Sequence, residues 1–169
     1  MPLPSAGAVS ARPDSPKDVR PLDDTDRALL QALVDDARIS NKDLAEKVGI
    51  AQSTCLPRVR ALRAAGVIRG YHADVDPKAL GHDLQAMIAI RLQPHARGAM
   101  ARFATELSRR TEVLDVYFVA GADDFLVHVA TAGTDALRRF VADALNRNRA
   151  IAGTETYLIF EHTRARPHA

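Results

Sequence analysis

Five basic side chains and no acidic one lie between Lys47 and Ala73: Lys47, Arg58, Arg60, Arg63 and Arg69. The whole chain carries a formal net charge of only +2 over 169 residues. A run of one sign in a nearly balanced chain is suited to a partner of the other sign, and a polyanion is the natural one. The chemistry on offer is charge-assisted hydrogen bonding from guanidinium groups to phosphate oxygens or guanine edges. A solvated basic helix with no partner is the bland alternative. It does not account for the choice of Arg, since other charged residues would serve solubility as well.

The stretch from Ser40 to Tyr71 reads as two short helices joined by a glycine turn, followed by a strand or wing. Ser40 with Asp43 resembles a capping box in which Asp replaces the usual Glu. Leu44, Ala45 and Val48 then share one face. Gly49 stands where the chain must leave that helix. Cys55, Val59 and Leu62 give the second helix its buried stripe. Gln52, Ser53, Leu56, Arg60 and Arg63 fall on the other side, as a helix entering a major groove requires. Gly66 ends this helix, and 67–71 is expected to be the strand or wing. A front helix completes the unit, with Asp23, Asp24 and Thr25 at its N-terminus and Leu29, Leu30 and Leu33 as its stripe. Residues 22–76 carry eight basic and nine acidic side chains. The module is therefore polarised, not basic overall, which suits docking by one face.

The second half has a different rhythm. Asp76-Pro77 and Gly81 mark a linker. Residues 84–92 form a strand apolar on nearly both sides. Met100, Phe103, Ala104 and Leu107 recur at helical spacing. Two strands of a hairpin, 113–119 and 125–130, flank the turn Gly121-Ala122-Asp123-Asp124. Leu137, Phe140, Val141, Ala144 and Leu145 mark another helix, and 154–161 a last strand. The order βαββαβ is that of a ferredoxin-like split unit. The fold class expected is α+β: a winged helix-turn-helix domain, then a ferredoxin-like domain. A four-stranded sheet with helices on one face leaves the other open. Tyr117, Val119, Tyr157 and Ile159 are placed to add apolar surface there, which makes it an association site. The expected division is an arm at 1–21, a DNA-binding domain at 22–76 and an oligomerisation domain at 77–169.

Leu22-Asp23, Asp26, Leu29-Leu30, Ile39-Ser40, Leu44-Ala45, Gly49-Ile50, Arg58-Val59, Leu62, Gly66-Val67-Ile68 and Gly70-Tyr71, in this order and spacing, resemble the Lrp/AsnC regulators. The resemblance covers about residues 22–163. It implies a sequence-specific DNA-binding transcriptional regulator modulated by an amino acid or related metabolite, and homodimers that assemble into tetramers or octamers. The expected DNA-binding side chains are Gln52, Ser53, Thr54, Leu56, Arg58, Arg60 and Arg63. The resemblance places an effector near Gly121, Ala122, Asp123 and Asp124, with Thr134, Thr156 and Tyr157 as further effector-linked positions. A carboxylate at Asp124 would meet an α-ammonium, and turn N–H groups an α-carboxylate. Ordinary turn chemistry with no ligand is the rival reading of Asp123-Asp124.

Three departures from the family pattern stand out. Ala51 replaces the Ser that usually caps the recognition helix, Pro57 sits inside that helix, and Phe125 replaces a common Tyr. A helix from Gln52 would set the Pro57 ring against the Ser53 carbonyl. The expectation is therefore a start near Thr54, with Ser53 or Thr54 as cap, or else a bend.

Other classes of function find little support. One cysteine, Cys55, excludes an internal disulfide framework and four-Cys metal sites. It reads as a small buried hydrophobe. The six histidines (His72, His82, His95, His128, His162 and His168) are scattered, with no H-x-x-x-H pair. No nucleophile elbow or phosphate-cradling glycine loop occurs. His128 reads as packed on its strand. No enzyme, cofactor, metal or catalytic residue is expected. No apolar run approaches a membrane helix, and the first 21 residues, with five prolines, lack the apolar core of a signal peptide. A cytoplasmic protein follows, with a disordered arm at its start. Two rivals stay open: an oligomeric small-molecule sensor without DNA-regulatory activity, and a small ferredoxin-like enzyme.

Overall fold

A computed structural model describes residues 21–163. The arm expected at 1–21 falls, but for Pro21, outside the described residues. The chain forms two compact units, divided between Ala73 and Asp74.

The first unit holds three helices: α1 (Asp24–Asp35), α2 (Asn41–Val48) and α3 (Gln52–Ala64). Asp23 starts α1 with a full capping box. Its Oδ1 accepts the Asp26 N–H at 2.8 Å, and Asp26 Oδ2 accepts the Asp23 N–H at 3.4 Å. At α2 only half of the expected box forms. Ser40 Oγ accepts the Asp43 N–H at 3.1 Å, but the Asp43 carboxylate takes the Ser40 hydroxyl, not its backbone N–H. The Ser40 hydroxyl, which Asp23 lacks, competes for the carboxylate as a nearer donor. Gly49 adopts φ 74°, a left-handed conformation that costs glycine nothing, and closes α2. Leu29, Ala32, Leu44, Ala45 and Cys55 form the core, with Val48 and Val59 packed against it.

The structure corrects two details expected of this unit. First, α3 begins at Gln52, not near Thr54, and runs uninterrupted through Pro57. Ala51 is extended and uncapped by any side chain, yet its carbonyl accepts the Thr54 and Cys55 N–H groups at 2.9 and 3.0 Å. The bond that Pro57 forfeits is the one to the Ser53 carbonyl. Ser53 is exposed, so water reaches that carbonyl and softens the loss. Second, 67–71 is not a strand. Among the described residues no strand precedes Leu84. Val67 and Ile68 instead give their N–H groups to the Leu62 carbonyl at 3.0 and 3.2 Å. A strand needs a partner edge, and this segment is committed to the end of α3.

The second unit contains β1 (Leu84–Leu92), α4 (Met100–Leu107), β2 (Val113–Phe118), β3 (Phe125–Thr131), α5 (Thr134–Phe140) and β4 (Ile151–Ile159). A π-helical segment, Val141–Asn146, extends α5. All pairings are antiparallel, in the order β2-β3-β1-β4. Ala86, Ile88, Ile90 and Leu92 of β1, with Phe125, Val127 and Val129 of β3, pack under Phe103, Leu107, Leu137, Phe140 and Leu145. The last strand begins earlier than expected and ends sooner. A bulge between Arg91 and Leu92 lets Ile151 pair with Leu92, while Ile159 already faces Gln85 near the start of β1. Only Leu84 of β1 lies beyond that pair, and Phe160 and Glu161 fall outside the strand.

Candidate DNA interface and ligand site

On α3, Cys55 and Leu62 point into the core, so Gln52, Ser53, Thr54, Leu56, Arg60 and Arg63 are turned to solvent. Gly66, at φ 74°, reverses the chain and brings 67–70 back beside the helix. The result is an open concavity of about 380 Å³ lined by Arg60, Arg63, Ala64, Ile68, Arg69 and Gly70. Three guanidinium groups border it and no acidic side chain does. The Tyr71 ring lies 5.9 Å from the Arg63 guanidinium carbon, within cation–π range. Arg69 shares the sign of the helix arginines, but only the fold brings it beside them. Gly66 was the available signal, since a left-handed residue there folds the following residues back.

Arg58 has a different occupation from the one expected. Its Nη1 donates to Oδ2 of Asp23, the N-cap of α1, at 2.7 Å and to Oδ1 of Asp26, in the first turn of α1, at 2.9 Å. Those bonds, to Asp23 first and Asp26 second, hold its pKa above the usual arginine value. The Asp26 side chain is 0% exposed. A lone buried carboxylate would be costly; here Arg58 and the capping bond satisfy it. Cys55 is likewise fully buried, and burial pushes its thiol pKa up.

The expected effector residues do not come together within one chain. Asp124 is buried, and its Oδ2 accepts the Leu92 N–H at 2.8 Å. Its own N–H donates to the Ile90 carbonyl at 2.9 Å, and its carbonyl accepts the Val119 N–H at 3.1 Å. It thus ties the 119–124 turn to the end of β1. Asp123, beside it, lies 3.7 Å from Arg91 Nε. Gly121 and Ala122 are exposed at the tip. Thr134 and Thr156, by contrast, meet in an open cavity of about 300 Å³, with Leu137, Arg138, Val141, Ala142 and Asn146. Thr156 faces Ile88 in the register, which puts it on the helix side of the sheet. Tyr157 therefore lies on the opposite side. Its hydroxyl donates to Glu155 Oε2 at 2.6 Å, and that bond raises its pKa.

The open sheet face carries Met87, Ala89, Leu126, Tyr117, Tyr157 and Ile159, assigned by alternation with the buried set. His128 sits among them, 6% exposed. Its Nε2 lies 2.9 Å from Gln85 Oε1 and its Nδ1 3.6 Å from Asp115 Oδ2. It is a packed, hydrogen-bonded histidine. No group of three or more His, Cys, Asp or Glu among the described residues is placed to hold a metal ion.

Residues 22–69 match the family model described as winged helix-turn-helix DNA-binding. Residues 85–168 match the Lrp/AsnC ligand binding domain. The chain is 56% identical over 154 residues to the HTH-type transcriptional regulator AldR of Mycolicibacterium smegmatis, covering 90% of each. It resembles the crystal structure of MtbAldR at 49% identity and a TM-score of 0.72, over 85% of this chain and 98% of that one. It also resembles a transcriptional regulator from Neisseria meningitidis in complex with L-Met, at 27% identity and a TM-score of 0.79, over 88% and 96%.

Proposed function

This chain belongs to the Lrp/AsnC family of transcriptional regulators, and from that premise we propose that it is a cytoplasmic, homo-oligomeric regulator of transcription that reads DNA through α3 and answers to an amino acid. The observation that carries the DNA reading is the three-arginine concavity of Arg60, Arg63 and Arg69 beside the exposed face of α3. Its shape and charge fit a phosphate backbone, while Gln52, Ser53 and Leu56 on the leading turns face base edges. The open sheet face is the surface for a second copy of the chain, since an exposed apolar sheet face associates. In that reading the effector is an amino acid, the class bound by the Neisseria regulator. Thr134 and Thr156 line an open cavity of the second unit, and the peptide groups at the 121–123 tip are a separate candidate contact. No helix among the described residues is long and apolar enough to cross a membrane. We assign the chain no catalysis, in keeping with relatives that are transcriptional regulators.

The test is enrichment of duplexes from a random library by the full-length chain, followed by fluorescence anisotropy across a salt series. A preferred sequence bound at least about 10³-fold tighter than scrambled duplex is expected. Binding with no sequence preference, or none at all, would overturn the reading.

A further inference from the structure

We infer that Asp23, Asp26 and Arg58 form a positioning element that seats α3 against α1, and so governs discrimination between DNA sequences; this rests on the DNA-binding reading above. One atom, Arg58 Nη1, donates to carboxylates of two residues at the start of the neighbouring helix, its cap Asp23 and Asp26, at 2.7 and 2.9 Å. One of those carboxylates, Asp26, is wholly buried and also closes the capping box of α1. The grip comes where α3 is weakest in itself. The helix has no side-chain cap, no acidic residue in its first turn, and Pro57 in its interior. Arg58 directly follows the residue at which the helix's own hydrogen-bond ladder is broken.

Stability is a poor explanation for such a cluster. A buried ion pair is often matched or bettered by apolar residues of similar volume. Direction is what apolar contacts lack. Hydrogen bonds weaken steeply with distance and angle, so a slide or roll of α3 breaks this pair while leaving apolar packing largely intact. Base-edge contacts from Gln52, Ser53 and Leu56 need the same accuracy. Phosphate contacts from Arg60, Arg63 and Arg69 do not, because long flexible side chains follow the backbone. The cluster should therefore matter for preferred DNA and hardly at all for scrambled DNA.

The charge-neutral double variant Asp26→Leu/Arg58→Met tests this in the full-length chain. Circular dichroism checks the fold, and anisotropy reads the dissociation constants on a duplex enriched by the wild type and on its scrambled counterpart. The expected result is a folded variant whose preference falls by about tenfold or more, with scrambled-duplex binding unchanged within about twofold and the salt slope kept. Preference retained within about twofold would overturn the inference. So would equal weakening on both duplexes with a salt slope lower by about one, the mark of a lost phosphate contact. Should the double variant not fold, Arg58→Lys is read in the same way. It keeps the charge but ends in an ammonium on a shorter side chain, which alters the reach to Asp23 and Asp26, and a part of the preference should be lost. If neither variant folds, the cluster is a stability element and the inference fails. A wild-type chain with no preference among duplexes refutes the regulatory reading and this inference with it; that outcome is seen before any variant is made.

Discussion

Replacing Asp124 by alanine separates two roles for one carboxylate. Family resemblance suggests an effector contact, whereas the structure commits Oδ2 to the Leu92 N–H at 2.8 Å in a site only 8% exposed. Leu92 is itself 2% exposed, so water cannot easily replace the lost acceptor. A hydrogen bond to a charged acceptor is worth about 1.5–3 kcal/mol, and an unpaired buried donor is penalised further. Asp124→Ala should therefore destabilise the second unit by about 2–4 kcal/mol. At about 4–8 °C per kcal/mol for a domain of this size, its melting midpoint should fall by about 8 °C or more. Asp124→Asn keeps an oxygen acceptor and should cost about 1 kcal/mol. The assay is thermal unfolding of wild type and both variants, each with and without the twenty amino acids. An alanine variant with unchanged midpoint but no ligand-induced shift would refute the structural role and restore the effector role.

The remaining predictions concern α3, the open sheet face and the core. Arg60→Ala/Arg63→Ala should weaken binding to all duplexes and flatten the salt dependence by about one to two in log–log slope; unchanged anisotropy curves would remove the concavity from the DNA interface. Pro57→Ala should stabilise the first unit by up to about 3 kcal/mol by restoring the bond to the Ser53 carbonyl. Ala51→Ser should add about 0.5–2 kcal/mol by capping the helix; denaturant midpoints check both, and two null results would contradict a helix that starts at Gln52. Tyr117→Arg/Tyr157→Arg should convert the oligomer to smaller species in sedimentation velocity by putting like charges on the open face; an unaltered distribution would move the interface elsewhere. Cys55 should react with an alkylating reagent about 10³-fold or more slowly than a free thiol, because access requires opening of the core; ready labelling of folded protein would contradict its burial.

Elements set by hydrophobic period were legible in the sequence. The stripe Cys55, Val59, Leu62 and the core helix at Met100 to Leu107 needed only spacing and packing to be read, and both occur. What spacing could not carry was the choice of partner for polar groups. Arg58 looked like its neighbours Arg60 and Arg63, yet two carboxylates more than thirty residues away claim it. Asp26 has the composition of a solvated first-turn acid and lies fully buried. Asp124 read as a turn residue open to a ligand and is closed by Leu92. Pro57 misled for a related reason. Local propensity counts a lost hydrogen bond at full cost, but tertiary packing of Cys55 and Leu62 holds the helix, and the orphaned carbonyl belongs to an exposed residue.

The open sheet face brings these themes together. Its centre is not purely apolar. Asp115, His128 and Gln85 form a short chain of polar contacts across β2, β3 and β1. In the proposed pairing of two such faces, those groups leave water together, and any one left unpaired becomes costly. They are already joined within one chain, so covering them breaks no contact with the protein itself. A purely apolar pair of sheets resists slipping only through the fit of its side chains. A face with a polar centre resists it further, because a shifted partner would set apolar side chains against His128 and Asp115 and strand their remaining lone pairs. In that pairing the polar chain restricts how two copies can align. In both units the same division of labour holds: apolar burial supplies the cohesion, and a few enclosed polar contacts decide the geometry.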